Sequence, residues 1–216
     1  MRLFASLRPK YRVILIDARG HGRSDKPHDE ASYTLDRRAA DVTAVLDAED
    51  IKKALFWGYS MGGRIGFGMA KYAPRRLHAL IIGGAHPFAS DGSGFRQWLR
   101  EGMTGGPDVL VAGFQKMVGP ISSAYAAGLR AADLDAWLAS ITEKNRGSIE
   151  DVLETMTMPT CFYAGEADPI FVQARSASER ILGACFFSLP GLSHLGAFVE
   201  SNSVLPPVME FIGATR

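Results

Sequence analysis

Ser60, Asp168 and His194 are the residues whose types, order and settings suit one another for nucleophilic chemistry. Ser60 sits in Gly58-Tyr59-Ser60-Met61-Gly62, a G-x-S-x-G pattern. A serine hydroxyl at its free pKa is a weak nucleophile. It needs a base within hydrogen-bond reach, and that base needs an orienting carboxylate. Asp168 lies in Gly165-Glu166-Ala167-Asp168-Pro169, and His194 closes Gly191-Leu192-Ser193-His194. The Met61 backbone N–H, next to the serine, is a candidate donor to a developing oxyanion. Each residue also has a plainer reading. Ser60 could be an ordinary serine in a glycine-rich turn, Asp168 a turn residue ahead of Pro169, and His194 a surface-loop histidine. Glu166 competes with Asp168 as the carboxylate. His86 competes with His194 as the base, although it suits a pocket wall better. His28 lies in a polar loop and His78 precedes a strand. No H-E-x-x-H, C-x-x-C or P-loop pattern occurs, so nothing here asks for a metal, a nucleotide or another cofactor.

What must position these groups is a parallel sheet. Residues 54–57 (Ala-Leu-Phe-Trp) read as a short buried strand, followed by an abrupt turn and a helix that Pro74 stops. Such a turn holds the serine in a strained backbone and lifts its hydroxyl above the sheet. Gly58 and Gly62 would leave no Cβ where strand and helix nearly touch. Residues 12–17 (Arg-Val-Ile-Leu-Ile-Asp) read as a strand buried on both faces. Gly20, Gly22 and Pro27 mark a loop after it. Thr34 is a candidate N-cap for a helix carrying Leu35, Ala39, Val42, Val45 and Leu46. Residues 79–83 form another apolar run. Strand alternating with helix demands parallel pairing with helices on the faces, an α/β fold.

Beyond Ala85 the rhythm breaks. Amphipathic pieces at 95–101, 109–118, 124–130 and 134–142 predict a helical insertion, and 149–156 a helix leading back. The sheet resumes at 160–164, with a helix over 172–182, a strand at 184–189 and a last helix from about 203 to 212. Pro206 and Pro207 fit only the first turn of that helix. Asp168 and His194 thus follow the last two strands, at the carboxyl ends where α/β sheets gather reactive groups.

The length of 216 residues suits one domain with a real core, and 47% apolar with 22% charged residues is globular composition. A net charge of +1 argues against broad attraction to nucleic acid or an anionic membrane. Residues 1–10 have no continuous apolar core and no small-residue cleavage site, and no run reaches membrane-spanning length. The expectation is a cytoplasmic chain. Cys161 and Cys185 lie in apolar strand-like runs and read as reduced core residues rather than a disulfide or a metal pair. Met103, Met117, Trp98, Phe114 and Trp137 in the insertion suit an apolar pocket wall or the insertion's own packing.

Four stretches together resemble the α/β-hydrolase fold superfamily, in particular small bacterial esterases with D-x-R-G-x-G-x-S. They are Asp17-Ala18-Arg19-Gly20-His21-Gly22-Arg23-Ser24, Gly58-Tyr59-Ser60-Met61-Gly62-Gly63, Gly165-Glu166-Ala167-Asp168 and Gly191-Leu192-Ser193-His194. The resemblance implies a mostly parallel sheet flanked by helices. Its core would be residues 1–87 and 146–216, with residues 88–145 as a helical lid. It implies Ser60 as nucleophile, His194 as base, Asp168 as orienter and Met61 N–H in the oxyanion hole, with no cofactor and no metal. The activity implied is a serine hydrolase of the carboxylesterase kind, cleaving small-molecule esters. Lactonases, thioesterases, carbon–carbon hydrolases and cofactor-free perhydrolases share that triad. Dehalogenases and epoxide hydrolases of the superfamily carry Asp where Ser60 stands.

The sequence departs from the family at its start. There, two strands precede a third, whose His-Gly loop supplies a second oxyanion N–H. Residues 12–17 match the fourth strand, so the fold is expected to be N-terminally shortened. Three outcomes are open. The chain is a shortened version of a longer enzyme; or it forms a homodimer through the exposed sheet edge; or residues 12–17 take the third strand's place and residues 19–22 offer an N–H to Ser60. The alternative function is an impaired α/β-hydrolase-fold binding or interaction protein lacking a complete oxyanion hole.

Overall fold

A computed structural model describes residues 2–142 and 144–215. In chain order the elements are helices α1 (Arg2–Leu7) and α2 (Leu35–Ala48), strand β1 (Ala54–Tyr59), α3 (Met61–Tyr72) and β2 (Leu77–Gly83). Helices α4 (Ser93–Gly105), α5 (Pro107–Val118), α6 (Ser123–Arg130) and α7 (Leu134–Ser140) follow. Then come β3 (Thr160–Gly165), α8 (Phe171–Glu179), β4 (Cys185–Leu189), α9 (His194–Val199) and α10 (Ser201–Ala214).

The chain divides into two compact units. One holds the residues up to Ile16, Val42–Pro87 and everything from Ile149 on. Its four strands lie in the order β1-β2-β3-β4, and every neighbouring pair is parallel. Successive side chains of a strand face opposite ways, so each face has its own set. Leu80, Ile82 and Phe162 are fully buried on the face that meets α3, where Phe67 packs 5.9 Å from the Phe162 ring. Ile81, Tyr163 and Leu189 line the other face with Ala197 of α9 and Val204, Val208 and Ile212 of α10. Burial on both faces explains why these strands read as continuous apolar runs.

The other unit holds Asp17–Asp41 and Phe88–Ser148. Its helices pack on their own aromatic cluster: Trp98 is buried against Phe95 and Phe114, and its Nε1–H donates to the Leu110 carbonyl at 2.8 Å. Met103 and Met117 are exposed. The Arg19 guanidinium grips Asp41 with both arms at 2.5 and 2.6 Å, and that carboxylate raises the arginine's pKa.

Several expectations need correction. Residues 12–17 form no strand, and Leu15 and Ile16 are 62% and 39% exposed. An apolar β-branched run becomes a strand only when a neighbour offers its backbone, and the sheet order leaves β1 paired with β2 alone. As the edge strand, β1 is mostly half-buried rather than buried, and it runs on to Tyr59. The helix expected at 149–156 is a short 3₁₀ segment, Glu150–Glu154. Helix α10 starts at Ser201, so Pro206 and Pro207 lie inside it, past the first turn. Helices α1 and α9 were not foreseen; both are only six residues long. Cys161 and Cys185 are joined in a disulfide rather than reduced. The cause is register: β3 and β4 pair so that these two residues face each other, with Cα atoms 4.6 Å apart. Among the described residues no helix is long and apolar enough to cross a membrane.

Candidate functional site

Ser60 occupies the junction between β1 and α3 with φ 53° and ψ −111°. A non-glycine residue held there carries strain of about 1–3 kcal/mol, which the surroundings must impose. They do so through the Ser60 N–H, which donates to the Gly83 carbonyl of β2 at 2.8 Å. Gly58 permits the close return of the chain, because a Cβ on it would lie 2.1 Å from the Gly62 carbonyl oxygen. The reading of Gly62 needs correction, since a Cβ there would meet nothing within 4 Å. The second space-limited position is Gly63, where a Cβ would come within 2.7 Å of the Ala85 Cβ. Met61 opens α3. N–H groups in a helix's first turn lack intrahelical acceptors and carry the positive end of the dipole.

Asp168 is placed by the turn after β3. Its N–H donates to the Gly165 carbonyl at 3.0 Å, its carbonyl accepts from Phe171 N–H at 2.9 Å, and its Oδ1 accepts from Ile170 N–H at 3.1 Å. The carboxylate is 1% exposed. His194 is placed by the loop after β4, where Gly191 takes φ +68° and the Ser193 hydroxyl caps α9 by accepting the Gly196 N–H. The two loops are tied together. Glu166 N–H donates to the Leu189 carbonyl at 3.1 Å, and Ala167 N–H to the Leu192 carbonyl at 3.0 Å. Gly165 allows the contact, since a Cβ on it would lie 2.0 Å from the Leu192 oxygen.

The result brings three of the expected residues together. His194 Nδ1 lies 2.6 Å from Asp168 Oδ2, and His194 Nε2 lies 3.0 Å from Ser60 Oγ. An ionised carboxylate only accepts, so it holds the ring proton on Nδ1 and turns the Nε2 lone pair toward the serine hydroxyl. That arrangement can deprotonate Ser60 as it attacks and can stabilise the imidazolium that forms. Glu166 is not the partner; its Oε1 accepts the Ser188 hydroxyl at 2.8 Å. Nor does His86 take the place of His194. Around the 18–24 loop, the N–H groups of Gly20, His21, Arg23 and Ser24 are engaged by Asp25 O, Ala18 O, Asp17 Oδ2 and His21 O respectively.

Tyr59 was passed over in the sequence. Its phenol donates to the His194 carbonyl oxygen at 2.6 Å, and its ring lies 5.2 Å from the His194 ring and 5.3 Å from Phe198. Burial raises its pKa far above the ordinary phenol value, with the Asp168 charge adding to the effect. The available signal was alternation along β1, which puts Tyr59 on the face of Trp57 and Leu55.

In the other unit, ligand atoms of His28, Asp133 and Asp135 lie within 4.8 Å of one another. His28 Nε2 is 3.0 and 3.1 Å from the two Asp133 oxygens, and Asp133 Oδ1 also accepts the Ala136 N–H, so His28 and Asp133 partner each other.

The sequence family described as alpha/beta hydrolase fold matches residues 1–115. The 3-oxoadipate enol-lactonase 1 of Acinetobacter baylyi is 28% identical over 186 residues, covering 77% of this chain and 65% of that protein. The chain spans between 28% and 65% of the length of the first curated relatives it matches. An esterase from Rhodococcus sp. ECU1013, RhEst1, superposes with a TM-score of 0.84 at 25% identity, over 100% of this chain and 85% of the esterase. The enol-lactonase from Burkholderia xenovorans LB400 also gives a TM-score of 0.84, at 21% identity, over 98% of this chain and 84% of its own. At that identity the likeness speaks for the fold alone.

Proposed function

The chain belongs to the α/β-hydrolase fold family, and on that premise we propose that it is a serine hydrolase of the carboxylesterase kind, cleaving small ester substrates. The observation that carries this reading is the chain of contacts from Asp168 through His194 to Ser60, at 2.6 and 3.0 Å. Ser60 Oγ attacks the ester carbonyl carbon while His194 Nε2 takes its proton. The tetrahedral oxyanion is met by the Met61 N–H at the head of α3. Collapse expels the alcohol, which leaves with the proton from His194, and Ser60 keeps the acyl group. A water molecule then attacks the acyl-enzyme with His194 again as base, releasing the carboxylate and restoring Ser60. Asp168 stays ionised throughout and holds the imidazole.

Two further observations support esters as the substrate class. The Acinetobacter relative is named for an enol-lactone and the Rhodococcus neighbour is an esterase. A lactone is a cyclic ester, so both present the same carbonyl to a serine. The residue at the elbow is Ser60, whose acyl ester is the intermediate this chemistry requires. The test is hydrolysis of short and medium-chain p-nitrophenyl esters by the purified protein beside Ser60→Ala. Turnover abolished by the substitution is the expected result. A folded protein with no turnover above Ser60→Ala would instead favour a binding protein on the same fold.

A further inference from the structure

We propose that Tyr59 is a positioning residue for the reaction: its phenolic O–H, donated to the His194 carbonyl, fixes the main chain from which the imidazole spans Ser60 and Asp168. This rests on the reading of those three residues as a catalytic triad. Tyr59 immediately precedes Ser60, yet its hydroxyl reaches across to the loop after β4 and meets His194 O at 2.6 Å. One side chain therefore couples the backbone of the nucleophile to the backbone of the base. The ring is held as firmly as the hydroxyl. Cβ atoms on Gly83 or Gly84 would lie 2.5 Å from Tyr59 ring atoms, so the two glycines leave the ring its slot. Gly83 is also the residue whose carbonyl accepts the Ser60 N–H. Behind Tyr59 stands Tyr163, 5.8 Å away between ring centres, whose hydroxyl accepts from Trp57 Nε1 at 3.1 Å. The aromatic group is a rigid back wall, and the Tyr59 hydroxyl is its link to the histidine. Because the bond goes to the main chain of His194, it leaves both ring nitrogens for Asp168 and Ser60.

Tyr59→Phe removes the O–H and keeps the ring. An intramolecular hydrogen bond of this kind is modest, and the expected effect is a fall in kcat of about three- to tenfold with KM held within about twofold. The second readout needs no turnover. In ¹⁵N-histidine-labelled protein, the His194 Nδ1–H proton shared with Asp168 should give a downfield resonance that His194→Gln removes. Tyr59→Phe should shift or broaden that resonance, because the ring is less firmly held against Asp168. A merely structural tyrosine would lower the melting temperature and leave the resonance where it was. Either an unchanged kcat or an unmoved resonance in Tyr59→Phe overturns the proposal. Turnover that survives Ser60→Ala would overturn the triad reading itself, and the role of Tyr59 with it.

Discussion

Replacing Gly165 by alanine would place a Cβ 2.0 Å from the Leu192 carbonyl oxygen, 2.7 Å from its carbon and 3.1 Å from the Ser193 oxygen. Real Cβ atoms do not approach within 3.0 Å, so one of the two backbones must retreat by about 1 Å. Neither is a flexible side-chain tip. Gly165 ends β3, and its partner Leu189 ends β4. The Leu192 oxygen already accepts the Ala167 N–H at 3.0 Å, one residue before Asp168 and two before His194. A retreat of the Leu192–Ser193 backbone therefore lengthens the 2.6 Å contact between Asp168 and His194. Misplacing a catalytic group by ~1 Å lowers the rate about a hundredfold, ~2.7 kcal/mol in the barrier. Overpacking of this kind costs about 1–3 kcal/mol of stability. For a chain of this size each kcal/mol moves the melting temperature by roughly 2–4 °C. The assay is kcat/KM on a p-nitrophenyl ester beside a thermal melt, with Gly62→Ala as the comparison. A Cβ on Gly62 meets nothing within 4 Å, so its melting temperature should hold or rise, as for alanine over glycine in a helix. Gly165→Ala with unchanged kcat/KM and an unchanged melt would refute the packing argument.

Two stability predictions use other parts of the sheet. Burial raises the Tyr163 phenol from 10.0 to about 12, and raises Tyr59 as well. Above pH 10 the unfolded chain ionises these phenols while the folded one keeps them neutral, so the unfolded state binds fewer protons. Stability is then fully present below pH 10 and falls by about 1.4 kcal/mol per pH unit for Tyr163 up to about pH 12. Urea unfolding at pH 9 and pH 11 should show the drop, and Tyr163→Phe should reduce it to the part that Tyr59 contributes; an equal drop in that variant would count against burial of Tyr163 as the cause. The Cys161–Cys185 bond closes a sequence separation of 24 residues. By the loop-entropy relation such a crosslink contributes about 3 kcal/mol, so a thiol reductant or Cys185→Ser should lower the melting temperature by roughly 6–12 °C. A melt indifferent to both would show that the crosslink adds nothing.

The candidate site was legible before the structure because its signals are local. A strand run, a glycine-flanked serine and a helix that ends at proline put Ser60 on a sharp turn. Asp168 and His194 could be named because each follows a strand run at the end of the sheet where loops converge. What lay between the elements was not legible. Whether residues 12–17 become a strand depends on a neighbour's backbone, which their own sequence does not carry, and β1 pairs with β2 alone. The pairing of Cys161 with Cys185 depends on the register of β3 against β4. The steric weight at the elbow lies on Gly58 and Gly63 rather than Gly62, and Gly165 carries the same weight under the histidine loop. Tyr59 looked like a variable motif position until the histidine loop was folded onto it. Sequence alone determined which side chains were candidates for a site and which strand ends present them, since propensity and turn chemistry act over a few residues. The tertiary structure decided which backbones touch, at contacts of 2–3 Å between segments far apart in the chain, where only the assembled sheet sets the distance.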